Sequence, residues 1–153
     1  PEGRAWVETY QPEGKGLRFL GSTGRGKTHR MLCAVRGLCE RGISARYVSW
    51  ALWLDDMRQA MGRDGDMAAL KARIERPAVV ALDDIGRERD TDWAQSQLDQ
   101  LLERRTLSGG TVLIASNLTD EGLEMHLGDR LWSRIKTSTR PVVMTGKDWR
   151  ATR

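Results

Sequence analysis

The 153 residues hold no apolar run near the ~20 that a membrane span needs and no signal-like segment, which excludes a spanning helix from within them. Cysteine is scarce. The two present, Cys33 and Cys39, lie six apart on one expected helix and on different faces, so a disulfide framework is excluded and a reducing, cytoplasmic setting is expected. Charge of one sign is in no great excess: 25 Lys and Arg stand against 21 Asp and Glu, a net +4 with a pI of about 9.5. Arginine far outnumbers lysine and favours phosphate and planar recognition, which suits an acidic partner as well as plain solubility. The length excludes two domains of ordinary size and allows one real core. A starting methionine is lacking too, and the first presumed core strand begins close behind Pro1. The chain is therefore expected to be a piece of a longer protein, with a domain missing upstream.

What is present centres on Gly21-Ser22-Thr23-Gly24-Arg25-Gly26-Lys27-Thr28, which fits G-x-x-x-x-G-K-[ST] at every fixed position. The glycines let successive backbone N–H groups turn inward on one anion, and the helix that follows adds the positive end of its dipole. Lys27 would reach the terminal phosphates of a nucleotide triphosphate, and the Thr28 hydroxyl would ligate the accompanying magnesium. The flanks supply the strand–loop–helix setting that the motif needs: Leu17-Arg18-Phe19-Leu20 reads as a short buried strand, and Met31, Leu32, Val35 and Leu38 recur at helical spacing.

Residues 1–16 are polar with Gly and Pro, and Ala5-Trp6-Val7 there could pack on the core or beside a bound base. Gly42 stops the helix after the loop. Residues 45–50 alternate as a second strand, leading into a helix over 51–61 with Leu52, Leu54, Met57 and Met61. Residues 63–66 read as a turn, 67–74 as a short helix, and Pro77 starts a third strand.

That strand is a continuous apolar run ending in Asp83-Asp84, the second signature of a nucleotide triphosphatase. Asp83 would hold magnesium through water, and Asp84 would orient or deprotonate the attacking water. Without the phosphate loop, the same residues would read as a strand running into a capped polar turn. A charged loop over 87–91 precedes a long helix over 92–107, with Ala94, Leu98, Leu101 and Leu102 facing in and a charged, solvated opposite face. A fourth buried strand over 111–117 ends in Asn117. In a parallel α/β sheet, groups that touch ligand sit at the carboxyl ends of strands, so one rule gathers the loop, Asp83, Asp84 and Asn117 at one edge. Thr119-Asp120 caps a helix with Leu123, Leu127, Leu131 and Ile135 every four residues and Arg130 and Arg134 on another stripe. Residues 140–146 close the sheet, and a basic tail over 147–153 carries Trp149.

The order phosphate loop, L-D-D-I-G, strand ending S-N, helix with D-R-L-W-S-R-I and final D-W-R resembles the AAA+ ATPase domain of the DnaC/DnaI helicase loaders, from Leu17 to Arg150. IstB transposition helpers and DnaA initiators are its close relatives. The resemblance implies the AAA+ (ASCE) form of the P-loop NTPase fold, an α/β three-layer sandwich on a five-stranded parallel sheet. No helical lid is expected, which leaves Arg150 without a role. It implies a slow ATPase using ATP and magnesium, stimulated by assembly or DNA. By it, Asn117 matches the sensor-1 position and Arg134 the arginine finger reaching a neighbouring copy, with Arg130 as the rival. Asp84 stands where most of the superfamily has glutamate, a shorter reach to the water. Implied partners are single-stranded DNA, further copies of the chain, and a replicative DNA helicase gripped by the absent N-terminal domain, in the cytoplasm of a bacterium or phage-infected host. Arg58, Arg63, Lys71, Arg73 and Arg76 lie where loaders place DNA contacts, yet they alternate with Asp55, Asp56, Asp64, Asp66 and Glu75 as a solvated face would.

Three other readings stay open. A transposition helper would share the chemistry and differ in partner. A small-molecule P-loop kinase would need a lid and an acceptor pocket, neither visible in the sequence. A nucleotide-dependent interaction module would bind ATP and scarcely hydrolyse it.

Overall fold

The structure, a computed structural model, describes residues 2–88 and 91–145. Its elements run α1 (Glu2–Glu8), β1 (Gly16–Leu20), α2 (Lys27–Glu40), β2 (Ala45–Ser49), α3 (Trp50–Gln59), α4 (Asp64–Glu75), β3 (Val79–Ile85), α5 (Thr91–Leu107), β4 (Thr111–Ser116), α6 (Asp120–Leu127), α7 (Asp129–Ser138) and β5 (Thr139–Val143). The strands form one sheet in the order β2-β3-β4-β1-β5, with every pairing parallel. This is the expected α/β fold.

The continuous apolar runs at β3 and β4 are what a sheet covered on both faces requires. Alternate residues go to opposite faces: Val79, Ala81, Leu113 and Ala115 pack with α1 and α2 in one core cluster, while Val80, Leu82, Val112 and Ile114 pack with α3, α5, α6 and α7 in the other. The result is helices, sheet, helices.

One open choice is settled and several local expectations are corrected. The opening segment contains a helix, and Trp6, Val7 and Tyr10 are buried on the core, with Trp6 Nε1 donating to Lys15 O at 2.9 Å. Trp6 therefore packs on the core and not beside a base. On α2 the inner stripe is Met31, Ala34 and Leu38, and Leu32 is exposed. Trp50 opens α3 instead of ending a strand, because 3.6-residue periodicity puts Trp50, Trp53, Leu54 and Met57 on one face; Leu52 and Met61, expected inside, are exposed. The expected turn over 63–66 is already helical from Asp64. The stripe Leu123, Leu127, Leu131 and Ile135 is buried as expected, but over two helices, broken at Gly128, where φ is 75°. Thr119 caps α6, its Oγ1 accepting from Gly122 N–H. Gly146, the tail with Trp149 and Arg150, and Arg89 and Asp90 of the charged loop lie outside the described residues.

Two arginines expected at no particular place are structural. Arg18 on β1 is buried, grips both carboxylate oxygens of Asp120 at 2.8 and 2.7 Å, and lies over the Trp132 ring, so it ties β1 to α6 and α7. Arg105 on α5, in line with the inward-facing Leu98, Leu101 and Leu102, is only 1% exposed. It donates to the carbonyls of Glu75, Ala78 and Thr111 at 3.0, 2.7 and 2.8 Å, closing the segment between α4 and β3 onto the start of β4. Burial lowers its pKa from the usual guanidinium value.

Candidate nucleotide site

The phosphate loop leaves β1 through Gly21, whose φ is 144° and whose missing Cβ would fall 2.6 Å from Met144 O. Gly24 and Gly26, at φ 82° and 78°, turn the backbone again before α2. Gly26 is the N-cap of α2; no side chain caps that terminus and its first turn holds no acidic residue. The free N–H groups and the dipole therefore face the loop unopposed, the electrostatics an anionic phosphate requires. Ser22 and Thr23 are exposed, and Arg25 Nε donates to Ser22 Oγ at 3.0 Å.

Lys27 is buried within this loop, its Nζ 2.6 Å from Gly21 O, 2.9 Å from Ser22 O and 2.7 Å from Asn117 Oδ1. Asn117 Nδ2 in turn donates to Asp84 Oδ1 at 2.9 Å, and Arg87 Nη1 holds Asp84 Oδ2 at 3.0 Å. Three strand ends are thus joined side chain to side chain. Asp84 sits at φ 65°, and the β3–β4 register shifts between Leu82 and Ile85. A left-handed aspartate costs on the order of 1–2 kcal/mol and persists only where its surroundings fix it. Consecutive strand residues point to opposite faces, and here the two carboxylates meet different partners.

Asp83 is 6% exposed, and its Oδ2 accepts from Thr28 Oγ1 at 2.7 Å and from Tyr47 OH at 2.8 Å. Thr28 and Asp83 supply the hydroxyl-plus-carboxylate oxygen pair that suits magnesium, which keeps most of its shell as water and phosphate. Among the described residues, no cluster of three or more His, Cys, Asp or Glu suggests a protein-only metal cage. Tyr47 was not anticipated. Burial, then its hydrogen bond to Asp83, pushes the phenol well above its ordinary range, so it stays a donor.

The remaining expected residues lie elsewhere. Arg134 on α7 pairs across to α5, Nε 3.3 Å from Asp99 Oδ1 and Nη2 3.6 Å from Glu103 Oε1, while Arg130 Nη2 reaches Asp99 Oδ2 at 3.2 Å. Neither meets its own chain's phosphate loop in the hydrogen bonds or ion pairs of the described residues. The five basic residues divide. Arg58 pairs with Asp55 at 2.9 Å and lies over the Trp93 ring, and Arg63 is 4.0 Å from Asp66. Lys71 is half-buried. Arg73 and Arg76 are exposed and line, with Arg46 of β2, a shallow depression of about 240 Å³ lined by no carboxylate among the described residues, and Arg73 also borders a second depression with Asp56 and Asp66. Arg46 gave no signal in the sequence, because only the fold brings β2 beside the end of α4.

A phosphate loop after β1, paired carboxylates at the end of β3 and an asparagine after β4 on this strand order define a P-loop domain of AAA+ type. Residues 3–135 match the family described as IstB-like ATP binding protein, and the chain belongs to that family. It is 30% identical over 128 residues to the phage-like element PBSX protein XkdC of Bacillus subtilis (strain 168), covering 78% of this chain and 46% of that protein. It is 24% identical over 151 residues to the replicative helicase loader DnaI of the same organism, covering 90% and 48%. The chain spans about half the length of these curated relatives. The crystal structure of the DnaC helicase loader matches with a TM-score of 0.85 at 27% identity, over 94% of this chain and 86% of that one.

Proposed function

We propose that this domain hydrolyses ATP slowly with magnesium, assembles with copies of itself on single-stranded DNA, and helps deliver a replicative DNA helicase in the bacterial cytoplasm. The observation that carries the reading is the run Lys27–Asn117–Asp84 beside Thr28–Asp83, which links a phosphate-binding cation, a polar sensor and a general base. Lys27 exchanges loop carbonyls for terminal phosphate oxygens. Thr28 and Asp83 are the residues that would hold magnesium, which supplies charge neutralisation on the phosphates when bound. Asp84 accepts the proton of the attacking water, and Asn117 fixes that carboxylate relative to Lys27. Arg134, kept half-buried by Asp99 and Glu103, is the group for a neighbour's site, where an arginine supplied in trans can accelerate phosphoryl transfer by ~10³ or more. Arg46, Arg73 and Arg76, with Lys71, form the surface for the phosphate backbone; Arg58 and Arg63 are already engaged by carboxylates.

The test is anisotropy of a labelled oligo-dT at fixed salt, with ADP and with a non-hydrolysable ATP analogue, alongside phosphate release. Tighter binding with the analogue, lost in Arg134→Ala, supports the reading; no binding in either state, by a protein shown to bind ATP, overturns the DNA role. The family match keeps a transposition helper as the second reading, with the same chemistry and a different partner. It stands against the small-molecule kinase.

A further inference from the structure

Behind the bend that carries Asp84 lies a carboxylate that the chemistry above does not use. The Glu88 side chain is 3% exposed; its oxygens lie 3.1 and 3.0 Å from the Gly86 backbone nitrogen, and Oε2 is 3.1 Å from His126 Nε2 on α6. A carboxylate this buried needs such compensation to stay in place. Gly86 itself has φ 95°, and a Cβ there would fall 2.7 Å from Leu118 Cδ1, so the turn is wedged against the residue after Asn117. Ser116 Oγ completes the lacing, donating to Ile85 O at 2.7 Å and accepting from Leu118 N–H at 3.1 Å. His126 is anchored as well, its carbonyl accepting from Gln95 Nε2 on α5.

Two positive-φ residues, Asp84 and Gly86, thus flank Ile85, and such a bend holds its shape only where neighbours over-determine it. Leu118 and Ser116 restrain it from the β4 side. After the bend, Arg87 holds the Asp84 carboxylate and Glu88 holds the Gly86 N–H. We propose that Glu88, steadied by His126, is a positioning residue for Asp84: by fixing the Gly86 N–H it sets the backbone from Asp84 to Arg87, and so keeps the Asp84 carboxylate on Asn117 and Arg87. It touches no reacting atom. The inference rests on the ATPase reading, since it concerns the aim of the general base.

The experiment compares wild type, Glu88→Ala, Glu88→Gln and His126→Ala in kcat, affinity for a non-hydrolysable ATP analogue, and amide exchange of the 84–88 segment. Glu88→Ala should lose tenfold or more in kcat with analogue affinity within threefold of wild type, and exchange in that segment should quicken. Glu88→Gln keeps an oxygen for the Gly86 N–H and should recover most of the loss; His126→Ala should fall between. Unchanged kcat in Glu88→Ala, or kcat and analogue affinity falling in parallel in all three variants, overturns the positioning role. A wild type that binds ATP but never turns it over overturns the ATPase reading, and the inference with it; an active wild type beside an equally active Glu88→Ala overturns the inference alone.

Discussion

Asn117 accepts from Lys27 Nζ at 2.7 Å through its amide oxygen and donates to Asp84 at 2.9 Å through its amide nitrogen, so one side chain sets the spacing between the loop lysine and the Asp84 carboxylate. Asn117→Ala removes both bonds and leaves the glycine loop and the α2 N-terminus intact. Turnover should fall by roughly a hundredfold, the scale of misplacing a general base, while analogue affinity stays within a few-fold. Equal losses in both would mean that Asn117 only holds the loop together.

Tyr47 makes a subtler prediction. Tyr47→Phe deletes one of the two hydroxyl donors on Asp83 Oδ2, and loss of a group that orients a metal-binding carboxylate typically weakens metal affinity by ~10-fold or more. The magnesium concentration for half-maximal activity should rise accordingly. The sign of the pH effect also follows. Because the folded-state pKa lies above the ordinary 10.0, Tyr47 contributes stability that is complete below pH 10.0 and is lost as pH rises past it. Alkaline denaturation curves should therefore show wild type losing its advantage over Tyr47→Phe only above that pH. A constant difference from pH 7 upward would argue against the raised value.

Tyr47 also marks where the sequence stops being legible. The phosphate loop could be read because its demands are local: glycines at fixed spacing, then Lys27 and Thr28. Asp83, Asp84 and Asn117 could be read because each ends an apolar run and one topological rule gathers such ends. Tyr47 meets Asp83 only because β2 pairs with β3 in the register that sets Ser49 beside Asp83, which no local pattern announces. Trp50 was misplaced for another reason: a short apolar stretch fits both a strand's end and a helix's start. Arg105 drew no notice in the sequence although it falls in line with Leu98, Leu101 and Leu102, since its carbonyl partners come from segments far apart in the chain.

Gly110 and Arg105 give a stability test away from the nucleotide. A Cβ at Gly110 would fall 2.5 Å from Arg105 Cζ, and the guanidinium cannot swing aside without giving up its carbonyl acceptors, those of Glu75, Ala78 and Thr111 among them. Gly110→Ala should cost about 2 kcal/mol, as overpacking of a filled site does. Urea denaturation measures it; a loss below about 0.5 kcal/mol, the range of an ordinary surface change, would show that the guanidinium moves freely.

The divided basic surface predicts unequal effects on DNA. Arg73→Ala and Arg76→Ala, at the depression without carboxylates, should each lower the slope of log affinity against log salt by about 0.7, one single-strand phosphate contact. Arg58→Ala, at a residue already paired with Asp55, should leave the slope nearly unchanged. Oligo-dT titrations at four salt concentrations decide this, and equal slopes for all three variants would return the surface to plain solvation.

Arg134 is tested by mixing. If it serves a neighbour, Arg134→Ala carries an intact site without a finger, and Asp84→Asn carries an intact finger without a base. Asparagine tolerates the positive φ that position 84 requires, so Asp84→Asn should fold as wild type. Each variant alone should be inactive, yet the mixture should regain part of wild-type turnover on oligo-dT, because some interfaces then pair a sound base with a sound arginine. The same arrangement predicts that Asp99→Asn, by weakening the ion pairs that hold Arg134 against α5, alters turnover only in the assembled state. A mixture as inactive as its parts would place the role of Arg134 in the α5–α7 contact seen within one chain.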